Sequence, residues 1–131
     1  MKHKVAALVV VMLLSLTVVP ACGPDPQEEY TGQTSAITDE WVAIVDRWNA
    51  SPGDADVVLD FIELQARAQG IEPPEELADA HRLFLEAMEA EAKSFEVYAV
   101  GATDESDRLH ELSLEAVTAY QQDLRERDLL K

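Results

Sequence analysis

The sequence predicts an all-α protein, an up-down antiparallel four-helix bundle with two shorter helices packed on a long helical hairpin. Two observations predict it. From residue 37 onward, apolar residues recur at spacings of three and four, and each periodic stretch is bounded by Pro, Gly or a capping residue. The breaks between stretches are short, which favours antiparallel neighbours. No stretch alternates apolar and polar residues between turn signals as a strand would.

The first helix is expected from about Asp39 to Asn49. Thr38 can cap it, and Asp39 and Glu40 suit the positive end of the helix dipole. Ile37, Trp41, Ile44, Val45 and Trp48 form its stripe. Trp41 and Trp48 lie two turns apart on one face and are expected to anchor the helix to the core. The second helix is expected from Pro52 or Asp54 to Gln69, with Ser51 as cap and Pro52 in the first turn. Its apolar face is Val57, Val58, Phe61, Ile62, Leu64 and Ala68, and Gly70 is expected to end it as a left-handed residue.

The third helix is expected to be the longest. Pro73-Pro74 open it and Gly101 ends it. Leu77, Ala80, His81, Phe84, Met88, Ala92, Phe95 and Tyr98 or Ala99 form its stripe. The fourth helix has Thr103 as cap, acids in its first turns and Arg125, Arg127 and Lys131 at its negative end. Its stripe is Leu109, Leu112, Ala116, Ala119 or Tyr120, and Leu124. If the two long helices extend past the two short ones, the overhang exposes a groove lined by Phe95, Val97, Tyr98 and Leu109.

Composition bounds the function. The chain has 131 residues, 10 basic and 26 acidic, and a formal net charge of −16. The acids are spread along every helix, a pattern that keeps an exported protein soluble. Such a surface repels nucleic acid and anionic headgroups. A salty habitat or cation collection is the sharper reading of the same acidity. The single cysteine, Cys22, excludes an intrachain disulfide.

Residues 1–21 carry Lys2 and Lys4, then an apolar run from Val5 to Val19 broken only by Ser15 and Thr17. The run is shorter than the roughly 20 residues that span a bilayer, and its basic flank suits a signal peptide. It ends in Val19-Pro20-Ala21-Cys22, which resembles a lipobox with a small residue before the cut; Pro20 departs from the usual pattern. The resemblance is to bacterial lipoproteins. It implies that residues 1–21 are removed and that Cys22 becomes a mature N-terminus carrying a covalent diacylglycerol, with palmitate-class chains. Two acyl chains suffice for stable anchoring. The implied location is the extracytoplasmic face of the cell membrane or outer membrane. Losing Lys2 and Lys4 with the leader takes the net charge to −18.

Residues 22–36 are expected to be the lipidated cysteine and a flexible tether, since GPDPQEEYTGQTSA mixes Pro, Gly and polar residues. Residues 37–131 are expected to be the acidic four-helix domain. This domain is similar to small helical domains that follow lipoboxes in bacterial lipoproteins. The similarity rests on Pro-Pro-Glu-Glu-Leu-Ala-Asp-Ala-His at residues 73–81 and implies no chemistry.

Motifs for catalysis are sparse. There is no Gly-x-Ser-x-Gly, HExxH or phosphate-cradling glycine loop. Asp54, Asp56 and Asp60 fail the EF-hand pattern at its glycine and its final glutamate. Asp107-x-x-His110 resembles half of a di-iron carboxylate-histidine motif, but Ala78 precedes His81 where the second copy needs an acid. His81 is expected to be partly buried and bonded to a carboxylate or carbonyl. Asp107, His110 and Glu111 remain candidates for a surface divalent-cation site.

The first functional expectation is therefore a membrane-anchored, non-enzymatic binding module for an envelope protein or a small apolar or cationic ligand. No cofactor beyond the diacylglycerol on Cys22 is expected. The alternatives are a divalent-cation-binding envelope protein and an enzyme of a type that no motif reveals.

Overall fold

The computed structural model describes Gly23 and residues 25–130. The leader, the lipobox-like segment with Cys22, Pro24 and Lys131 lie outside the described residues. The described residues form an up-down bundle of four helices with no strand: α1 (Pro26–Ala50), α2 (Ala55–Gln69), α3 (Ala78–Ala99) and α4 (Thr103–Glu126), with a 3-10 turn (Glu75–Leu77) leading into α3. No helix among them is long and apolar enough to cross a membrane.

The expected tether is the largest correction. Residues 26–36 are the first three turns of α1, so α1 has 25 residues and only α2 is short. The start is encoded locally. Asp25 accepts a hydrogen bond from the Gln27 amide at 2.9 Å, Pro26 takes the first helical position, and Glu28 and Glu29 sit at the positive dipole end. Thr38, expected as the cap, lies mid-helix and donates to the Thr34 carbonyl at 2.8 Å. Tertiary contacts complete the argument. Tyr30 and Thr34 are buried and continue the stripe of Ile37, Trp41, Ile44 and Trp48. The Gln27 side chain also donates to Glu76 at 2.8 Å, which ties the helix start to the 3-10 turn.

Smaller corrections concern the other ends. Asp54, not Ser51, caps α2 by accepting from the Asp56 amide at 2.9 Å. Ser51 to Gly53 form the preceding turn, with Gly53 at φ +85°. Gly70 stays right-handed at φ −79°, while Gly101 takes the left-handed position (φ +84°) that closes α3. Thr103 is the first residue of α4 and makes no capping bond.

The buried positions explain the packing. In α1 they are 30, 34, 37, 41, 44 and 48, and in α2 they are 57, 61, 64 and 68. Steps that alternate between four and three give a 3.5-residue repeat, the spacing of left-handed knobs-into-holes bundles. α1 and α2 run antiparallel, bridged on the outside by Arg47–Asp60 (2.6 Å) and Arg67–Glu40 (2.6 and 2.8 Å). These exposed pairs register the helices and add little stability.

α3 is the central helix. It buries a wide face of Ala80, His81, Phe84, Ala87, Met88, Glu91, Ser94 and Phe95, continued by Leu77 of the 3-10 turn. Its aromatic residues meet those of the neighbouring helices. Trp48 lies 4.4 Å from Phe95 and Phe61 lies 5.3 Å from Phe95, centroid to centroid, while Trp41 touches both Phe61 and Phe84. Both tryptophans are buried, as their spacing predicts.

α3 and α4 approach along their length through small residues. Ser94 Oγ donates to the Ser106 carbonyl at 3.0 Å, Ser106 Oγ donates to the Ser94 carbonyl at 2.9 Å, and Ser113 Oγ donates to the Ala87 carbonyl at 2.8 Å. This close seam keeps Ala116, Tyr120 and Leu124 of the expected α4 face but shifts the rest of it. Ser106, Ser113, Tyr120 and Leu124 are buried, whereas Leu112 is 41% exposed and Ala119 faces solvent. A large side chain at 112 has no room where serines hold two backbones together.

Candidate functional site

The helices pack in ring order, α1 on α2, α2 on α3 and α3 on α4. The fourth side of the ring, between α4 and α1, closes only through side chains. Two opposite sides of the bundle therefore carry concave surfaces.

The larger lies between α2 and α3, with a volume of about 1090 Å³. Phe95, Ala92 and Val58 line it, with Leu109 of α4 among its walls. Leu59, Ile62 and Val100 line it too and are 63%, 50% and 81% exposed. The cause is local: the buried seam of α2 uses 57, 61, 64 and 68, so Leu59 and Ile62 lie off it and no described residue covers them. Along α3 the lining carries Glu86, Glu89, Lys93 and Glu96. Lys93 pairs with Glu96 at 3.1 Å and Arg82 with Glu86 at 2.6 Å. Glu89 has no ion-pair partner among the described residues.

The sequence-derived groove residues divide between two places. Phe95 and Leu109 line this groove. Tyr98 instead packs edge-on against Trp48 at 5.3 Å, beside the Gly53 turn. Val97 does not line the groove. No overhang of long helices makes the groove, because α1 is as long as the hairpin helices.

The smaller surface is a slot of about 230 Å³ between α1 and α4. Trp41, Phe84 and Tyr120 line it, together with Glu91 and His110. Glu91 is 2% exposed. Its carboxylate accepts from His110 Nδ1, 2.8 Å from one oxygen and 3.1 Å from the other. Burial pushes the Glu91 carboxyl above the usual carboxylate range, opposed by the His110 hydrogen bond and charge and, least, by the Ser113 hydroxyl. His110 is half-exposed.

His110 is thus committed to an acid on α3, while Asp107 and Glu111 are exposed to solvent. Among the described residues no group of three His, Cys, Asp or Glu side chains comes close enough to hold a metal ion, so Asp107, His110 and Glu111 are not brought together as one. Sequence reasoning passed over Glu91. Its signal was an acid at position 91 in the seven-residue series 77, 84, 91, where an apolar residue belongs.

His81 also differs from expectation. It is buried, and its Nδ1 lies 3.0 Å from the Tyr30 hydroxyl, a partner on α1 rather than a carboxylate or carbonyl. Its Nε2 has no hydrogen-bond partner among the described residues. Burial holds the His81 imidazolium below the usual histidine range. Nearby, Tyr120 donates to Thr34 Oγ1 at 3.0 Å, and Thr34 Oγ1 donates to the Tyr30 carbonyl at 3.2 Å. These hydroxyls bridge α4 and α3 to the first turns of α1.

No family model matches the chain, and no curated protein or solved structure matches it.

Proposed function

We propose that the protein is a lipid-anchored binding module outside the cytoplasm, held by diacylglycerol on Cys22, that docks a cationic amphipathic helix in the α2–α3 groove. The observation that carries the docking role is the exposure of Leu59, Ile62 and Val100 around one groove beside an acidic α3. Contiguous exposed apolar surface with a charged border is the usual mark of a partner site. α2 spans 15 residues, about four turns, which suits a helix with apolar anchors at i, i+3 or i+4, and i+7. The net charge of −18 after residue 21 favours basic flanks on that partner.

The membrane role rests on the basic and apolar leader and on Cys22. The start of α1 sharpens it. Only residues 23–25 separate Cys22 from the helix, a reach of roughly 10 Å when extended. The bundle would stand close to the bilayer on the end formed by the start of α1, the 3-10 turn and the end of α4. Glu76 senses the charges of both Arg127 and Asp25 at that end.

Two measurements test the proposal. Mass spectrometry of the mature chain is expected to show an acylated Cys22, and Cys22→Ser to leave the membrane fraction; an unmodified N-terminus overturns the anchor. For the groove, a synthetic Lys-flanked amphipathic helix is expected to bind the mature protein at least about tenfold better than a Glu-flanked counterpart. Ile62→Glu is expected to abolish that binding. Equal affinities, or an unaffected Ile62→Glu variant, overturn the docking role.

A further inference from the structure

The α1–α4 slot makes a separate demand that the α2–α3 groove does not explain. A carboxylate that is 98% buried belongs in water or against several donors. Among the described residues Glu91 takes one directed hydrogen bond, from His110 Nδ1, shared unequally between its two oxygens. A carboxylate accepts about four hydrogen bonds. The Ser113 hydroxyl lies close enough to favour the charged carboxylate, but its hydrogen bond at 2.8 Å goes to the Ala87 carbonyl, so the two oxygens stay short of donors. Spare acceptor capacity thus sits in an apolar slot.

The walls of that slot are aromatic. Phe84 lies 5.0 Å from Tyr120 and 6.1 Å from Trp41, centroid to centroid, so three ring systems surround one small space. Rings of this kind attract cations through their faces. Val42 and Leu114 also line the slot and are 57% and 53% exposed, leaving apolar surface uncovered on α1 and α4. Asp46 of α1 is the other acid in the lining, and no lysine or arginine is among the lining residues.

We propose that the slot between α1 and α4 is a binding site for a small organic cation, a primary amine on an aryl or alkyl body, with Glu91 receiving the ammonium group. The ammonium supplies the donors that Glu91 lacks, and the body packs on Trp41, Phe84 and Tyr120. A volume of about 230 Å³ limits the ligand to roughly ten non-hydrogen atoms. The site needs neither the lipid anchor nor the α2–α3 groove, so its failure leaves those readings standing.

Isothermal titration of the mature protein with phenethylamine and with its neutral analogue phenethyl alcohol tests the assignment. The amine is expected to bind with a Kd of roughly 0.1–1 mM, the range for a ligand of this size. The alcohol is expected to bind at least about tenfold more weakly. Glu91→Gln keeps the shape of the side chain and should erase the difference between the two. Val117→Phe fills the slot without touching Glu91 and should weaken both, which preserves the test if Glu91→Gln fails to fold. Ile62→Glu in the other groove should change neither. Equal affinities of amine and alcohol for the unaltered protein, no heat for either, or amine binding unchanged in both slot variants overturns the proposal.

Discussion

α3 meets α4 and α1 in opposite ways. Toward α4 it presents Ala87 and Ser94, and α4 answers with Ser106 and Ser113; hydroxyls bond directly to the facing backbone carbonyls. Toward α1 it presents His81, Phe84 and Phe95, and α1 answers with Tyr30, Trp41 and Trp48. Small residues bring two backbones together; rings hold them apart. The consequence is asymmetric. Drawing α4 onto α3 seals one side of the bundle and leaves the α1–α4 side to be closed by side chains alone, and the slot at Glu91 forms there. The dense seam has no room for change, whereas the open side has space that a ligand or a larger residue can take.

The largest expected effect lies at the start of α1. Tyr30→Ala should cost about 3–5 kcal/mol in denaturant unfolding, because it removes a fully buried ring and the partner of His81. A mobile tether would give almost no change. Next, the seam and the slot should respond differently to added volume. Ser113→Leu should destabilise by about 2–3 kcal/mol by forcing α4 off α3 and losing the bond to Ala87. Val117→Leu, beside the slot, should cost less than about 1 kcal/mol. Similar losses at the two positions would remove the distinction between the two interfaces.

A smaller effect, of opposite sign, is expected at Glu91. Its folded pKa is raised, so the stability it contributes is present while the carboxyl is neutral and is lost as pH rises through the folded value. Glu91→Leu should therefore stabilise the protein by about 1–3 kcal/mol at pH 7. That gain should shrink on acidification below the ordinary carboxylate range, read as the difference in urea midpoint between variant and parent. A variant that is less stable than the parent at pH 7 would make Glu91 a structural anchor rather than a tolerated charge.

The smallest effect concerns His81. Burial depresses its folded pKa, so its contribution is complete above the ordinary histidine pKa of about 6.5 and falls as pH drops through the folded value. The difference in melting temperature between the parent and His81→Gln should narrow from pH 7.5 to pH 5. A constant difference would mean that folding leaves the His81 pKa unshifted.

The all-α bundle was legible because Phe61, Leu64, Phe84, Met88 and Phe95 repeat at helical spacing between clear breaks. The first turns of α1 were not legible in the same way. Two prolines and two glycines suggest a tether, yet Asp25-Pro26 is a helix start, and Tyr30 and Thr34 keep the phase of Ile37 and Trp41. On α4 the expected Ala116, Tyr120 and Leu124 do face the core, but Leu112 does not, and Ser106 and Ser113, which bond to α3 carbonyls, carry no apolar signal. In the site, Phe95 and Leu109 were found from their stripes, but Glu91 was passed over as one acid among many.

By itself, then, the sequence determined the helical class, the apolar faces of α2 and α3, the burial of both tryptophans and the strongly acidic surface. Periodicity and charge are local properties that neighbouring helices do not alter. Only the tertiary structure decided how far the helices stand apart, which acid is buried and where surface is left uncovered. Interhelical distance depends on pairs of side chains remote in sequence, such as Ser94 with Ser106 and Thr34 with Tyr120, and no single segment contains both members of such a pair.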